Sequence, residues 1–172
     1  MATSIDDNAA DENLYKLFGE MSIIHHTSML YWIYHINYDK LKEDGIKCIL
    51  FDLDNTIWNG TLDANDNVTL NNWVINYLEN ALEKGIVLAI VSKNNYEQAY
   101  KKIVELGIEK YFYKFYISWD DKYKSIKDLA KDLNISEEHI LFVDDSELEL
   151  AEAIYYIPNL QILNVRNIAL LT

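Results

Sequence analysis

The sequence predicts an α/β fold, a parallel sheet of about five strands with helices on both faces, because strand-like and helix-like segments alternate regularly. Apolar runs typical of buried strands lie at 46–51, 86–91, 113–117 and 139–143, with a weaker one at 160–165. Helical patterns separate them, at about 71–84, 96–106, 123–133 and 147–156. Gly85 and Gly107 stand where two of these helices should end, which supports the same division of the chain.

The composition is that of one globular domain whose partners are not polyanions. The 172 residues, half of them hydrophobic, are enough for a sizeable core. A formal net charge of −13 argues against nucleic acids and anionic membrane surfaces, since phosphate contacts demand Lys and Arg. Arg166 is the only arginine, so any bound phosphate would have to be held by lysines, hydroxyls and backbone N–H groups.

The cysteine content and the start of the chain favour the cytoplasm. Cys48 is the only cysteine and cannot form an internal disulfide, which fits a reducing compartment. No charged-then-apolar signal sequence opens the chain. The most apolar early segment, 21–36, is broken by three histidines and is too short to span a bilayer. We therefore expect a soluble cytoplasmic protein.

The first 44 residues differ in character from the rest of the chain. Residues 1–13 are acidic and polar, which predicts a flexible N-terminus. Residues 14–44 form a predicted helical extension with an aromatic patch that includes Tyr31, Trp32, Tyr34 and Tyr38. We expect this patch to pack on the main domain, residues 45–172; the alternatives are that it docks another protein or is a remnant joint to a neighbouring domain.

Asp52 and Asp54 follow the first strand, in the stretch Ile-Leu-Phe-Asp-Leu-Asp-Asn-Thr-Ile-Trp at 49–58. Ligands of open α/β sheets bind in the crevice outside the carboxyl ends of the strands, so acids spaced i, i+2 at such an end are placed for chemistry. The alternative is a capped strand followed by two solvated aspartates. The Asp-x-Asp-x-Thr pattern, which ends at Thr56, leaves both interpretations open on its own.

Ser92 and Lys93 follow the next apolar strand, in Ser-Lys-Asn-Asn. A small hydroxyl at a strand end can donate to a phosphoryl oxygen, and the lysine adds positive charge nearby. The alternative is an N-cap for the helix that begins near residue 96. We favour the cap for Asn94 and Asn95 and the phosphate site for Ser92.

Lys124 lies at the start of a predicted helix, in Trp-Asp-Asp-Lys-Tyr-Lys-Ser at 119–125. A lysine in the first turn opposes the helix dipole, where an acidic residue would be stabilising. This cost favours a function for Lys124, facing an anion or a carboxylate cluster. The alternative is an ordinary surface lysine.

Asp144 and Asp145 again follow a buried strand, and an N-cap is the alternative for them too. If this strand neighbours the first one, four carboxylates converge: Asp52, Asp54, Asp144 and Asp145. Carboxylates that close cannot all ionise unpaired. A hard cation with oxygen ligands solves this, and Mg²⁺ is the expected cofactor because it binds through few protein ligands plus water and phosphate.

These four elements, in this order, resemble the signature of the haloacid dehalogenase (HAD) superfamily of aspartate-nucleophile phosphotransferases, over about 46–165. The resemblance implies a HAD-like Rossmannoid fold, with residues 45–172 as the catalytic domain. It also implies a Mg²⁺-dependent phosphatase or phosphotransferase that acts on a phosphorylated small molecule through an aspartyl-phosphate intermediate.

The resemblance gives each motif a role. Asp52 is the nucleophile; Asp54 protonates the leaving group and then activates water, while its backbone carbonyl contacts the metal. The implied phosphate-binding residues are Thr56, Ser92, Lys93 and Lys124. The implied metal ligands are Asp52, Asp54, Asp144 and Asp145. Among the last two, Asp145 is the expected direct ligand and Asp144 one through water, with their order left open.

A narrower resemblance is to HAD subfamily IIIC, and within it to FkbH-like proteins of polyketide and related pathways. It implies a second activity, the loading of glyceryl from 1,3-bisphosphoglycerate onto an acyl carrier protein. Val91 departs from the cysteine that glyceryl-loading relatives often carry before the serine of Ser-Lys-Asn. A further alternative is a non-catalytic docking partner, against which the presence of all four elements argues.

The intervals between the motifs predict that the domain has no large cap. HAD enzymes with a lid insert it after the first motif or between the second and third. The interval from Thr56 to Ser92 must already hold a helix, and that from Ser92 to Lys124 has room only for helix, strand and loop. An uncovered site could admit a large substrate such as a phosphopantetheine arm.

Overall fold

The computed structural model describes residues 45–62 and 67–171, so the predictions for 1–13 and 14–44 lie outside the described residues. The strands are β1 (Cys48–Phe51), β2 (Trp58–Asn59), β3 (Thr69–Leu70), β4 (Val87–Ser92), β5 (Lys114–Ile117), β6 (Ile140–Asp144) and β7 (Gln161–Asn164). The helices are α1 (Val74–Glu83), α2 (Tyr96–Glu105), α3 (Lys122–Leu133) and α4 (Glu147–Tyr156). The predicted alternation of strands and helices is confirmed, with the ends of the elements shifted by only a few residues.

The main sheet has five parallel strands, as predicted, and their order is β5-β4-β1-β6-β7. The chain runs outward from β1 through β4 to β5, and then returns to the other side of β1 to form β6 and β7. Ligands of such sheets bind where the strand order reverses, outside the carboxyl ends. In this sheet that point lies at the ends of β1 and β6, where Phe51 is in register with Val143.

Helices cover both faces of the sheet. Alternate side chains of a strand point to opposite faces. Ile49 and Phe51 of β1 join a core cluster with Leu78 of α1 and Ile103 of α2. The side chains of opposite orientation, such as Leu50, are equally buried, and on the sheet α3 packs against β4 while α4 packs against β6 and β7. Burying one such large apolar side chain stabilises the fold by about 1.5–3 kcal/mol, so both layers hold the strand ends in place.

No inserted domain covers the site within the described residues. The interval from Thr56 to Ser92 holds the antiparallel β2–β3 hairpin and α1, apart from the undescribed residues 63–66. The interval from Ser92 to α3 holds only α2, a 3₁₀ turn and β5. The predicted absence of a large cap is therefore confirmed for this part of the chain. In the same part, no helix has the length and apolar character needed to cross a membrane.

Candidate active site

Two aspartates from neighbouring strands meet at the predicted edge of the sheet. Asp52 follows β1 directly, and its backbone N–H donates to the Val143 carbonyl of β6 at 3.0 Å. Asp144 is the last residue of β6. Both side chains are buried, with Asp52 4% and Asp144 1% exposed. Parallel pairing of β1 with β6 is what brings the two carboxylates together.

A buried lysine lies between these two carboxylates. Lys122 is the first residue of α3, and its Nζ donates to Asp52 Oδ1 at 2.8 Å and to Asp144 Oδ2 at 2.7 Å. The ammonium also lies 3.6 Å from Glu149 Oε2 of α4. A lysine is rarely buried to 6% exposure unless it is paired, and these carboxylates supply the pairing.

The prediction that Lys124 faces the carboxylate cluster is wrong. Its side chain is 55% exposed and its Nζ pairs with Asp121, the residue before α3, at 2.8 Å. The buried residues of α3 are Lys122, Ile126, Leu129 and Ala130, a stripe at i, i+4, i+7 and i+8. Two residues of a helix differ by about 200° in direction, so Lys124 points away from the side that Lys122 presents to the sheet. The apolar stripe was the sequence signal that could have identified Lys122.

Burial, the repulsion between Asp52 and Asp144, and their attraction to Lys122 shift the pKa values of these three residues. Desolvation raises the pKa of Asp52, although the Lys122 ammonium and the Ser92 hydroxyl act in the opposite direction. Desolvation and the neighbouring Asp52 charge raise the pKa of Asp144 to about 7, against the opposing effect of Lys122. Burial would lower the pKa of Lys122, but the two carboxylates outweigh it and hold the pKa above its usual range.

One lysine does not balance all the acids at this edge. Asp52, Asp144 and Asp145 each offer a carboxylate oxygen within 4.8 Å of the others. The Asp145 side chain accepts no hydrogen bond from any residue in the described ranges. Three oxygen donors this close, together with the raised pKa of Asp144, fit a hard divalent cation such as Mg²⁺. The carboxylate of Asp54 is not part of this cluster, and contact of its backbone carbonyl with the metal stays a prediction.

Asp54 occupies a separate set of hydrogen bonds. Its Oδ1 accepts from the Trp58 indole Nε1 at 2.7 Å and from the Leu62 backbone N–H at 3.0 Å. Its Oδ2 accepts from Asn94 Nδ2 at 3.2 Å. The turn after β1 produces this arrangement, with Asn55 in the left-handed region at φ 52°. Asp52 and Asp54 therefore point to different partners and can do different chemistry.

The Ser-Lys-Asn-Asn segment divides into site residues and a helix cap. Ser92 is buried and hydrogen-bonds to Asp52, and its Oγ accepts from Asn94 Nδ2 at 3.2 Å. Asn95 is the N-cap of α2, since its side chain accepts from the backbone N–H of Gln98. The cap prediction thus holds for Asn95, but Asn94 is buried in the site. The sequence contains no signal that distinguishes Asn94, in the site, from the adjacent Asn95, the helix cap.

Lys93 and Thr56, two further predicted phosphate ligands, have other surroundings. Lys93 is partly exposed, and its Nζ donates to Glu149 Oε1 at 2.9 Å, so Glu149 links it to Lys122. Thr56 is fully buried, and its Oγ1 has no hydrogen-bond partner among the described residues. Phosphate binding by either side chain stays a prediction. Glu149, which sequence reasoning missed, lies in the first turn of α4.

The sequence matches a family model for haloacid dehalogenase-like hydrolases over residues 58–154. The matched range includes Ser92, Lys122 and the Asp144–Asp145 pair, and it begins after Asp52 and Asp54. No protein of curated function matches the sequence significantly.

Solved structures of similar fold include phosphatases with bound magnesium. The N-terminal part of BF1531 from Bacteroides fragilis, which contains a phosphatase domain complexed with Mg, is 22% identical (TM-score 0.63; 75% of this chain, 39% of that one). A HAD family enzyme from Bacteroides thetaiotaomicron, in complex with magnesium and inorganic phosphate, is 17% identical (TM-score 0.58; 70% of this chain, 94% of that one).

The third structure is the 3-deoxy-D-manno-octulosonate 8-phosphate phosphatase from Moraxella catarrhalis, in complex with magnesium, phosphate and KDO. It is 25% identical at a TM-score of 0.50, over 70% of this chain and 67% of that one. This chain thus spans well under half of the Bacteroides fragilis structure and about two thirds of the Moraxella one. For the two Bacteroides structures, at 22% and 17% identity, the similarity demonstrates a shared fold and no more.

Proposed function

Because the chain belongs to the haloacid dehalogenase-like hydrolase family, we propose that it is a Mg²⁺-dependent phosphatase that forms an aspartyl-phosphate on Asp52. One observation carries this proposal: the buried Lys122 ammonium bridges Asp52 and Asp144 at the switch point of the sheet. A carboxylate that attacks phosphorus needs a fixed cation beside it, and a lysine buried with a three-carboxylate cluster supplies that charge together with a metal site.

In the first step, a carboxylate oxygen of Asp52 bonds to phosphorus as the bond from phosphorus to the leaving oxygen breaks. Asp54 gives its proton to that oxygen, so the leaving group departs as a neutral alcohol. Ser92 and Lys122 already contact Asp52, and in this role they donate to phosphoryl oxygens, whose charge grows in the transition state.

In the second step, Asp54 takes a proton from water as the water oxygen bonds to phosphorus. The bond between phosphorus and Asp52 breaks, which releases inorganic phosphate and restores the free carboxylate. Asp54 then holds the proton that the next cycle requires. Its separation from the metal cluster suits this work, since its charge is not committed to the cation.

We assign Asp52, Asp144 and Asp145 as the residues that hold Mg²⁺ through their carboxylates. When bound, the cation neutralises charge on the phosphoryl oxygens and allows Asp52 to approach a phosphate dianion. Burial and then the neighbouring Asp52 charge raise the pKa of Asp144 to about 7, and a bound cation would offset both by stabilising the ionised carboxylate.

The proposed substrates are phosphorylated small molecules. No inserted domain covers the site in the described part of the chain, so nothing there restricts the part of the substrate beyond the phosphate. The phosphate itself would be recognised by Lys122 and Ser92, the cation and the hydroxyl that already contact Asp52.

The test is release of inorganic phosphate from p-nitrophenyl phosphate with and without Mg²⁺. Asp52→Asn should abolish release and should also abolish trapping of beryllofluoride, which mimics the aspartyl-phosphate. Asp128→Asn is the matched control, because Asp128 is an exposed residue of α3 that pairs with Lys131. Wild-type protein that neither releases phosphate nor traps beryllofluoride in the presence of Mg²⁺ would refute the proposal.

A second candidate is the finer FkbH-like activity, transfer of glyceryl from 1,3-bisphosphoglycerate to an acyl carrier protein of a polyketide or related pathway. The absence of an inserted domain in the described residues favours it, because a carrier-bound arm needs an open approach. Mass spectrometry of a carrier protein incubated with the enzyme and 1,3-bisphosphoglycerate decides it. A glyceryl mass increment is expected. Release of phosphate without that increment would rule out glyceryl transfer and support phosphatase activity only.

A further inference from the structure

Trp58 is fully buried, and its indole N–H donates to a carboxylate. The partner is Asp54 Oδ1 at 2.7 Å, which also accepts from the Leu62 backbone N–H at 3.0 Å. A carboxylate oxygen accepts through two lone-pair directions, so these two donors occupy Oδ1 completely. Hydrogen bonds to a charged acceptor are about twice as strong as neutral ones, and this pair fixes the plane of the carboxylate.

The other oxygen of Asp54 has a different environment. Oδ2 accepts from Asn94 Nδ2 at 3.2 Å, and the same amide donates to Ser92 Oγ at 3.2 Å. An amide group has two N–H bonds, so it can serve both acceptors. Among the described residues, Oδ2 therefore keeps one lone pair free, and Asn94 holds that oxygen next to Ser92.

The turn between Asp54 and Trp58 makes this contact local. The Leu53 carbonyl accepts the backbone N–H groups of Thr56, Ile57 and Trp58. The chain thereby folds back on itself, and a backbone bridge joins Asp54 to Trp58. Pairing of Trp58 with Leu70 in the hairpin fixes the far side of the turn. The fold thus fixes the position of the indole, and the hydrogen bond from the indole orients the Asp54 carboxylate.

We propose that Trp58 is a positioning residue for proton transfer: it holds Asp54 so that Oδ2, and not Oδ1, exchanges the proton. The inference rests on the proposed function. When Asp52 bonds to phosphorus, the proton leaves Oδ2 for the departing oxygen. When water attacks the aspartyl-phosphate, its proton goes to Oδ2, and phosphate and the Asp52 carboxylate are released.

The test compares two leaving groups in the variant Trp58→Phe. An alkyl phosphate such as glycerol 2-phosphate needs its leaving oxygen protonated, whereas p-nitrophenolate leaves without help. General acid–base catalysis contributes about 10²- to 10⁴-fold, so a misaligned Asp54 should lower kcat/KM for the alkyl phosphate, which reports the step that forms the aspartyl-phosphate, about tenfold or more. The kcat/KM for p-nitrophenyl phosphate should stay within about threefold, since its leaving group requires no acid, whereas kcat for both substrates should fall where hydrolysis of the aspartyl-phosphate is rate-limiting.

Three further measurements isolate the N–H donor. Trp73→Phe is the matched control, since Trp73 packs on Phe51 and Tyr77, while the hydrogen bonds to the Asp54 side chain come from Trp58, Leu62 and Asn94. Benzothienylalanine at position 58 keeps the shape of the indole and replaces N–H by sulfur, so it should reproduce the effect if Trp58→Phe misfolds. Trp58→Phe should add nothing to Asp54→Asn, because both remove one function.

The outcomes separate this inference from the proposed function. A loss of kcat/KM confined to the alkyl phosphate, in both position-58 variants but not in Trp73→Phe, supports the positioning role. Equal losses of kcat/KM on the two substrates, or effects of Trp58→Phe and Asp54→Asn on kcat/KM that multiply, overturn it while the phosphatase stands. Wild-type protein that hydrolyses neither substrate overturns the phosphatase, and the inference with it.

Discussion

Replacing Lys122 by methionine removes the only ammonium that contacts both Asp52 and Asp144 in the described residues. At its distances of 2.8 and 2.7 Å, each ion pair has a gross Coulomb energy of about 6 kcal/mol at an effective dielectric constant of about 20. Most of this is offset by the desolvation of the buried groups, and breaking such a pair costs about 3–5 kcal/mol net. Asp144, with a pKa of about 7, can respond by taking a proton, so we expect the lower end of that range.

Lys122→Met should therefore lower the free energy of unfolding by about 3 kcal/mol at pH 7 without Mg²⁺. It should also lower kcat about 10²- to 10³-fold, the cost of removing one preorganised donor at a developing charge. Urea unfolding and phosphate release measure the two effects. Lys124→Met is the matched control two residues away, where an exposed pair with Asp121 is lost and neither quantity should change measurably. Wild-type activity in Lys122→Met, or a loss in Lys124→Met instead, would refute the placement of Lys122 as the site cation.

The remaining predictions concern the metal cluster and the two asparagines. Because the folded-state pKa of Asp144 is raised from 3.8 to about 7, the metal-free folded protein binds more protons than the unfolded chain in that window. Its stability should fall as the pH rises from about 4 to 7, and Mg²⁺ should raise Tm more at pH 8 than at pH 5.5; an equal Mg²⁺ shift at both pH values contradicts this. Asp145→Asn should weaken Mg²⁺ binding by about tenfold or more in calorimetric titration with little change in metal-free Tm, whereas undiminished affinity excludes Asp145 as a ligand. Asn94→Ala should lower kcat, while Asn95→Ala should cost about 1 kcal/mol of stability through the lost α2 cap with kcat unchanged; the reverse pattern would contradict the division between them.

The strands and helices of the sheet could be predicted because each carries its own signal. The run from Cys48 to Phe51 is apolar throughout, as befits a strand covered on both faces, and helix-period stripes separate the successive strands of the main sheet. Right-handed crossovers then leave few arrangements of the strands. The convergence of Asp52 with Asp144 and Asp145 could be anticipated for the same reason, since parallel neighbouring strands end at one edge.

Side-chain direction within the site could be predicted only in part. Lys122 and Lys124 both stand in the first turn of α3, so a charge at the start of the helix fits either one, and only the phase of the apolar stripe that ends in Ala130 distinguishes them. Asn94 and Asn95 are chemically identical, and the backbone at the start of α2 determines which one caps the helix and which one faces Asp54. Which of two nearby residues faces the site depends on the direction of each side chain around its helix or turn, and composition and motif order do not encode that direction.

The α/β alternation, the strand ends that carry Asp52, Ser92 and Asp144, and the lack of room for a large cap could all be read from the sequence. These follow from local periodicity and from the geometry that parallel strands share. The packed fold was needed to find the Lys122 bridge between the carboxylates and the hydrogen bond from Trp58 to Asp54, whose carboxylate lies outside the metal cluster. Both contacts depend on how one element is rotated and folded against another, and burial makes that choice energetically decisive because an unpaired charge or donor in the interior is costly.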